Sequence, residues 1–344
     1  FGQVDVISGM AKWSASVTMP GRIDELMRMA LRESWKGRPG VVHLDIPENF
    51  MNSKMEEPAV QKPHNYRRSH AIYPDPELVA ESAERLIRAE RPMIHAGSGV
   101  IHARAFAELE QLAELLAAPV STSWAARTAL REDSPYALPM PYVKTNNTVR
   151  NEADVVFVLG SRLGETDWWG KAPYWRKPSE QSMIQVDIDE SILGMNKPMD
   201  LAVLADIKIF LQLLVDKIAH QDERIELAKR RKNAQGYQKM RQNLRNEYNK
   251  KLKDEQSPMV TAHVPTVARE LFPADAICVM DGGNTAVWAN FYQEFSVPNT
   301  VLSTFKFGML GAGVSQALGA AAAFPEKKVY CIIGDGAMGF HPQE

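Results

Sequence analysis

Apolar and polar positions alternate along the chain at two different spacings, and the first clear case lies in residues 23–47. Residues 23–34 carry apolar side chains at helical spacing, which predicts an amphipathic helix. A turn signal follows at residues 37–40, and the apolar run of residues 41–47 predicts a buried strand of an α/β sheet. One helix and one strand cannot enclose a core, so residues 1–55 are interpreted as the C-terminal end of a domain that lies upstream.

The same pattern returns after a polar, proline-containing linker. Within residues 70–218 predicted helices and strands follow one another, an order that is typical of a doubly wound parallel sheet. The predicted strands are residues 92–96, 119–123, 153–160, 183–187 and 202–204, and the predicted helices are residues 76–89, 103–116 and 207–218.

Two further segments complete the chain. Residues 219–257 are rich in Lys, Arg, Glu, Asn and Gln, which predicts a solvated helical linker. Residues 258–344 again alternate helices with strands, the strands being predicted at residues 276–280, 300–304 and 328–333. The expected fold class is therefore α/β, with doubly wound parallel sheets in a central domain and incomplete domains on both sides of it.

Composition narrows the possible functions. The 344 residues are 45% hydrophobic and 24% charged, with a formal net charge of -2 and no long basic tail, so no nucleic-acid partner is expected. The richest apolar run, residues 317–324, is far shorter than the ~20 residues that cross a bilayer, and no membrane partner is expected. Cys278 and Cys331 lie in apolar runs, which indicates reduced, buried thiols and favours a cytoplasmic location.

The strongest chemical signal is Gly334-Asp335-Gly336, at the end of the last predicted strand. Ligands of open parallel sheets bind at the carboxyl ends of the strands. Glycines let the backbone approach a phosphate closely, and a single carboxylate suits Mg2+, which usually takes one or two protein carboxylates plus phosphate oxygens. Taken alone, the triplet is explained equally well as an ordinary turn.

Two more glycine-rich turns favour a binding site. Residues 281–284 (Asp-Gly-Gly-Asn) and residues 308–313 (Gly-Met-Leu-Gly-Ala-Gly) each precede a predicted helix and follow a predicted strand. The amides and the dipole at a helix N-terminus favour an anion. Three such turns at one edge of a sheet therefore predict a site for a magnesium-bound diphosphate.

Other candidate sites receive less support. Gly97-Ser98-Gly99 resembles the start of a dinucleotide fingerprint, but His102 occupies the third glycine position and residues 121–123 end the next strand without an acid. NAD binding is therefore not expected. His43 and His95 lie in apolar strands and are interpreted as core residues, and no Cys/His spacing suggests zinc.

Several motifs, in their order along the chain, resemble the thiamine-diphosphate-dependent 2-oxo-acid enzymes of the acetolactate synthase kind. Besides the three turns, these motifs are residues 1–8, 12–14, 37–47, 186–189 and 194–196. The resemblance extends essentially from end to end. It implies the end of a pyrimidine-binding domain, a central domain and the start of a diphosphate-binding domain, with thiamine diphosphate and Mg2+ as cofactors and a 2-oxo acid as substrate.

The resemblance also assigns roles to individual residues. Asp335 corresponds to the family's Mg2+ ligand, and Leu310 to the apolar residue that holds the cofactor bent, so that its aminopyrimidine lies near the reactive thiazolium carbon. The other cofactor-binding residues implied by the resemblance are Gly283, Asn284, Thr285, Gly308, Gly334, Gly336 and Ala337.

Two elements of the family are expected outside this sequence. They are an asparagine downstream that completes the metal site and a glutamate upstream that activates the aminopyrimidine. Both ends of the chain look cut, so the 344 residues are interpreted as a fragment with no catalytic residue of its own and little activity alone. In the family the glutamate comes from a neighbouring subunit, which implies a homodimer or homotetramer for the complete protein.

Two segments of the central domain bear on further ligands. Some acetolactate synthases bind FAD there, and residues 186–189 are compatible with it, but residues 162–166 depart from the family's Arg-Phe-Asp-Asp-Arg-like segment and argue against FAD. The aromatic residues 167–175 also depart from the family pattern. They fit a substrate entrance or a subunit contact, or simply a long loop packed on its own domain.

The expected activity is decarboxylation and carboligation of 2-oxo acids, as in acetolactate synthase. Two alternatives stay within the family: a 2-oxo-acid decarboxylase, such as a benzoylformate or sulfopyruvate type, and a 2-hydroxyacyl-CoA lyase. A third alternative comes from another class, a nucleotide-binding scaffold that keeps the fold without the reaction.

Overall fold

The computed structural model describes residues 2–54, 57–304 and 307–343. The chain divides into two compact units, Phe1–Ile72 with Ile188–Glu190, and Tyr73–Asp187 with Ser191–Glu344. All strand pairs among the described residues are parallel, which confirms the α/β fold class. No helix in these three ranges has the length and apolar character needed to cross a bilayer.

The smaller unit contains a two-stranded parallel sheet. Strand β1 (Trp13–Ser16) pairs with β2 (Val42–Asp45), and the helices are α1 (Gln3–Ser8), α2 (Ile23–Trp35) and α3 (Glu48–Met51). The helix and strand predicted from residues 23–47 are confirmed. Strand β1 was not predicted, because the sequence Trp-Ser-Ala-Ser is neither an apolar run nor a clear alternation.

The larger unit has a parallel sheet as its main core. The strands are β3 (Pro92–Ala96), β4 (Val120–Thr122), β5 (Ala137–Leu138), β6 (Val155–Leu159), β7 (Ser182–Asp187) and β8 (Leu201–Leu204). The helices along this sheet are α4 (Pro76–Arg88), α5 (Ser98–Ala103), α6 (Phe106–Leu116), α7 (Val143–Glu152) and α8 (Ile207–Ala219). Strand order is β5-β4-β3-β6-β7-β8, so the direction of winding reverses between β3 and β6, as in a doubly wound sheet.

The predicted helix of residues 103–116 is wrong at its start. The structure has two helices there, because Arg104 adopts a left-handed conformation with φ of 53° and ends α5. A second helix, α6, begins at Phe106. A left-handed residue other than glycine gives no signal in an apolar pattern, which is why the break was missed.

The helix predicted in the charged linker is confirmed as α9 (Leu227–Asn249). One face of this helix is buried, so the expectation of a solvated helix is wrong for that face. Its buried residues are Arg230, Ala234, Tyr237, Leu244 and Arg245. The Arg230 guanidinium donates hydrogen bonds to the carbonyl oxygens of Leu86 and Ile87, both at 2.8 Å, near the C-terminus of α4. These are among the carbonyls that a helix leaves without an internal partner, so Arg230 satisfies them from outside.

A second, smaller sheet follows α9. Its elements in chain order are α10 (His263–Leu271), β9 (Ile277–Met280), α11 (Gly283–Tyr292), β10 (Val301–Ser303), α12 (Ala312–Ala323), β11 (Val329–Ile332) and α13 (Asp335–Met338). The described strands are ordered β10-β9-β11 and are all parallel, with β9 in the centre and fully buried. The carboxyl ends of the three strands therefore meet at one edge.

The two cysteines lie in neighbouring strands of this sheet and are both free thiols. Cys278 is buried and Cys331 is half-buried. Burial raises the pKa of the Cys278 thiol to about 12 and that of Cys331 to about 11. Both thiols therefore stay protonated at neutral pH and are weak nucleophiles.

Candidate cofactor-binding site

Two of the predicted turns touch each other at the carboxyl edge of the small sheet. The register places Ile332 beside Met280, and the Asp281 amide donates to the Ile332 carbonyl at 3.0 Å. The chain then turns at Gly282 after β9 and at Gly334 after β11. A Cβ atom added to Gly282 would lie 3.1 Å from the Gly334 amide nitrogen, so the two backbones are in close contact.

The second contact between these turns involves Thr285. A Cβ atom on Gly334 would lie 3.1 Å from the Thr285 hydroxyl oxygen. Ala337 is buried beneath the same turn, because a Cβ atom on Gly282 would lie 3.6 Å from its methyl group. Residues predicted from two separate segments of the sequence, 283–285 and 334–337, thus lie side by side.

The third turn is joined to the first by Asp281, whose side chain is fully buried. One oxygen of its carboxylate accepts hydrogen bonds from the amides of Gly311, at 2.9 Å, and Gly313, at 2.6 Å. The other oxygen accepts from the Gly282 amide at 2.5 Å. A single carboxylate therefore ties together the turns that follow β9 and β10.

Asp281 was not assigned to the site from the sequence, where it was seen only as the first residue of a turn. The available signal was an acidic residue at the end of an apolar strand and next to two glycines. Its hydrogen-bond partners lie 30 and 32 residues further along the chain, and no local pattern identifies them.

The two longer helices at this edge begin differently: α11 begins with uncapped amides, whereas the Asp281 carboxylate accepts a hydrogen bond from the Gly313 amide in the first turn of α12. Gly282 and Gly311 are the N-caps of α11 and α12 and have no side chain that could cap them. Gly283 and Asn284, in the first turn of α11, are exposed. The N-terminus of a helix with uncapped amides attracts an anion, and the dipole adds to that attraction.

Asp335 lies at the start of α13 with an exposed side chain. Its carboxylate accepts a hydrogen bond from the Gly336 amide at 2.9 Å. Within the described ranges no Lys or Arg forms an ion pair with it. Across those ranges no group of three His, Cys, Asp or Glu side chains is placed to hold a metal ion. A cation at Asp335 would therefore need oxygen ligands from elsewhere, such as phosphate oxygens.

Gly308 and Leu310 lie in the segment that leads to α12. Gly308 is exposed with φ of 74°, and Leu310 is half-buried. The hydrogen bonds from Gly311 and Gly313 to Asp281 place the end of this segment at the common edge. The roles of all nine predicted residues in binding stay predictions, but the structure brings their three segments together.

The aromatic segment of residues 167–175 belongs to the other sheet. Trp175 is fully buried, and its indole nitrogen donates to the Asp167 carbonyl at 2.7 Å. Trp168 stacks on Tyr174 with ring centres 4.4 Å apart. His95 is fully buried against the Trp175 ring, with centres 5.4 Å apart, as expected of a core histidine. These contacts favour a loop that packs on its own domain.

Gly282→Ala is expected to destabilise this edge. The backbone at Gly282 has φ of 93°, which costs a residue with a side chain about 1–3 kcal/mol, and the new methyl group would press on Gly334. The unfolding midpoint should fall measurably. Gly319→Ala is the matched control, because Gly319 lies inside α12 with nothing within 4 Å of an added Cβ, and there alanine should stabilise the helix. A Gly282 variant as stable as its Gly319 counterpart would contradict the close contact.

Comparison with known families agrees with this geometry. Residues 79–214 match the central domain of thiamine pyrophosphate enzymes, and residues 281–344 match their C-terminal TPP binding domain. The second match begins at Asp281 and contains the three turns. Together the matches cover more than half of the chain, and the chain belongs to the thiamine pyrophosphate enzyme family.

Individual relatives have several activities. The chain is 27% identical over 349 residues to the acetolactate synthase large subunit of Corynebacterium glutamicum, covering 97% of this chain and 53% of that protein. It is 26% identical over 343 residues to 2-hydroxyacyl-CoA lyase 1 of Dictyostelium discoideum, covering 93% of this chain and 58% of that protein. The chain thus spans less than two thirds of the length of these relatives.

A solved structure shows the same fold. The crystal structure of benzoylformate decarboxylase from Polynucleobacter necessarius superposes with a TM-score of 0.74 at 18% sequence identity. The superposition covers 99% of this chain and 61% of that chain.

Proposed function

We propose that the protein binds thiamine diphosphate together with Mg2+ and uses it for decarboxylation and carboligation of 2-oxo acids, as acetolactate synthases do. The observation that supports this most is the meeting of three glycine-rich turns at the carboxyl edge of the small sheet, with Asp335 exposed among them. The similarity to acetolactate synthase large subunits supports the choice of reaction.

The residues at this edge fit a diphosphate. Its negative charge would be placed opposite the uncapped N-terminus of α11. Glycines at the turns leave the backbone accessible to phosphate oxygens. Asp335 would contribute the carboxylate that Mg2+ needs in addition to those oxygens.

When bound, the cofactor supplies the electron sink that the loss of CO2 from a 2-oxo acid requires. The described residues bind and orient rather than transfer protons. Gly283, Asn284 and Thr285 would hold one side of the diphosphate, and Gly334 with Gly336 the other. Leu310 would support the cofactor through an apolar contact.

A 2-hydroxyacyl-CoA lyase is the second candidate. The Dictyostelium lyase matches this chain nearly as well in identity and coverage as the Corynebacterium synthase does. A 2-oxo-acid decarboxylase is a third, supported by the similar fold of benzoylformate decarboxylase.

Calorimetry of the full-length protein with thiamine diphosphate, with and without Mg2+, tests the cofactor. Uptake should depend on the metal, because Asp335 binds the diphosphate only through a cation. A scaffold without catalytic function should show no metal-dependent uptake. Incubation with pyruvate should then yield acetolactate. Uptake without acetolactate would refute the synthase and leave the cofactor assignment standing.

We also propose that FAD is not a cofactor of this protein. At the point where the large sheet reverses its winding, the Gly99 amide donates to the Gly160 carbonyl at 3.1 Å. A Cβ atom on Gly97 would lie 2.2 Å from that same carbonyl oxygen. The glycines of this turn therefore serve the close packing of two backbones, and the Gly99 amide is already used.

The resemblance to the family supports a proposal for the number of subunits, and the two free thiols support one for the cellular location. A homodimer or homotetramer is proposed, since the family takes an essential glutamate from a neighbouring subunit. The free Cys278 and Cys331 support a reducing, cytoplasmic environment. Sedimentation of the full-length protein would measure the number of subunits.

A further inference from the structure

A buried ion pair between Arg127 and Glu132 lies in the segment after β4 and contacts the C-terminal end of α11. Arg127 is 4% exposed and Glu132 is 1% exposed. The guanidinium donates two hydrogen bonds to the carboxylate, with Nε to Oε1 at 2.7 Å and Nη2 to Oε2 at 3.1 Å. This two-point geometry fixes the orientation of the arginine as well as its position.

The remaining donors of Arg127 point at the C-terminal end of α11. Its Nη1 donates to both the side-chain and the main-chain oxygen of Asn290. Its Nη2 donates to the Gln293 carbonyl oxygen at 2.6 Å. Arg127 therefore contacts the end of this helix at two residues, while Arg245 of α9 donates to the Phe291 carbonyl between them at 3.0 Å.

Glu132 holds the next part of the chain. Its carboxylate accepts from the Phe295 amide at 3.0 Å, and its own amide donates to the Phe295 carbonyl at 2.8 Å. The Arg127 guanidinium lies 5.0 Å from the centre of the Phe295 ring. The ion pair thus contacts the backbone on both sides of the point where α11 ends.

The opposite end of α11 carries residues 283–285, which lie at the candidate cofactor site. A helix of ten residues is a rigid rod about 15 Å long, so fixing one end restricts where the other end lies. Ala286 and Ala289 are buried along the helix, and their methyl groups carry no polar atom that would oppose sliding or rotation against the sheet. Directional hydrogen bonds at the far end would prevent such movement.

A buried ion pair is a weak source of stability, because apolar residues of similar size often stabilise a fold as well or better. Its value lies in specifying one arrangement. We infer that the Arg127–Glu132 pair positions α11 so that Gly283, Asn284 and Thr285 stand opposite Gly334 and Asp335. The inference rests on the proposed function and adds two positioning residues that do not touch the cofactor.

The decisive comparison uses the double variant Arg127→Met with Glu132→Leu, which removes both charges and leaves no unpaired one in the interior. The matched control is Arg131→Met with Asp133→Leu, because that pair has the same two-point geometry in the same loop but is exposed. Each protein is titrated with thiamine diphosphate at saturating Mg2+, and its thermal unfolding is measured without cofactor.

The double variant should unfold at a lower temperature than the unaltered protein, because the Asn290 and Gln293 carbonyls and the Phe295 amide lose their partners. Its folded form should bind thiamine diphosphate about tenfold more weakly or worse, in line with one lost charged contact. The control should match the unaltered protein in both measurements. A merely structural role would move the unfolding temperature and leave the affinity of the folded protein intact.

A folded double variant with full affinity would overturn the inference. Failure of the unaltered protein to bind would instead refute the proposed function, so the two failures are distinguishable. If the double variant does not fold, Arg127→Lys is tested in its place. Lysine keeps the charge but lacks the planar guanidinium that donates two parallel hydrogen bonds to a carboxylate. Reduced affinity in that folded variant supports positioning, and unchanged affinity overturns it.

Discussion

Asp335→Ala is expected to abolish the Mg2+-dependent uptake of thiamine diphosphate. Asp335 is the exposed carboxylate among the three turns and has no ion-pair partner in the described ranges, so its removal leaves the cation without its charged protein ligand. A charged contact contributes on the order of 3 kcal/mol, and the affinity should fall by about a hundredfold or more. Calorimetry with saturating Mg2+ measures this loss directly.

Two further variants make the result specific. Asp275→Ala removes an equally exposed aspartate just before β9, away from the carboxyl edge, and should bind normally. Asp335→Asn keeps the size and one oxygen but loses the charge, and its affinity should lie between the other two. Unchanged uptake in Asp335→Ala would refute its role as the metal ligand, as would a soaked crystal with the coenzyme at another site.

Asp281→Ala is expected to have the largest effect on stability. Two buried amides, those of Gly311 and Gly313, and the half-buried amide of Gly282 would lose their acceptor. An unsatisfied buried donor costs about 1–3 kcal/mol, so the free energy of unfolding should fall by roughly 3 kcal/mol or more. The segment of residues 308–313 would be released, and thiamine diphosphate should bind more weakly as well.

Chemical denaturation and calorimetry of the same protein check both parts of this prediction. Asp281→Asn should give an intermediate result, because its amide retains one acceptor oxygen and turns a donor towards the other N–H groups. Asp275→Ala again serves as the control. A normal unfolding free energy in Asp281→Ala would show that the two turns are held by other contacts.

Much of the fold follows from local pattern. β3 spans residues 92–96, as the apolar run predicts. The three glycine-rich turns were found because a strand, a glycine turn and a helix follow each other along the chain. Convergence of those turns followed from the rule that parallel strands end at one edge. The sequence was therefore sufficient for the fold class and for the segments of the candidate site.

What was missed depends on contacts between distant residues. Besides Glu132, the partners of Arg127 are more than 160 positions away, at the end of α11, and nothing near Arg127 indicates that it is buried. The same applies to Arg230, which lies in a run of charged residues that is typical of a solvated helix. Charged side chains that satisfy backbone groups in the interior look, in the sequence, the same as surface ones.

The burial of Arg230 has a consequence for how this architecture can be divided. Its guanidinium supplies hydrogen bonds to the C-terminal carbonyls of α4 and, at 3.3 Å, to the Leu116 carbonyl that ends α6. The boundary predicted from composition, after Ile218, would separate the sheet from the donor that its two helices share. A chimaera made by exchanging domains between relatives should therefore keep α9 together with the sheet that precedes it.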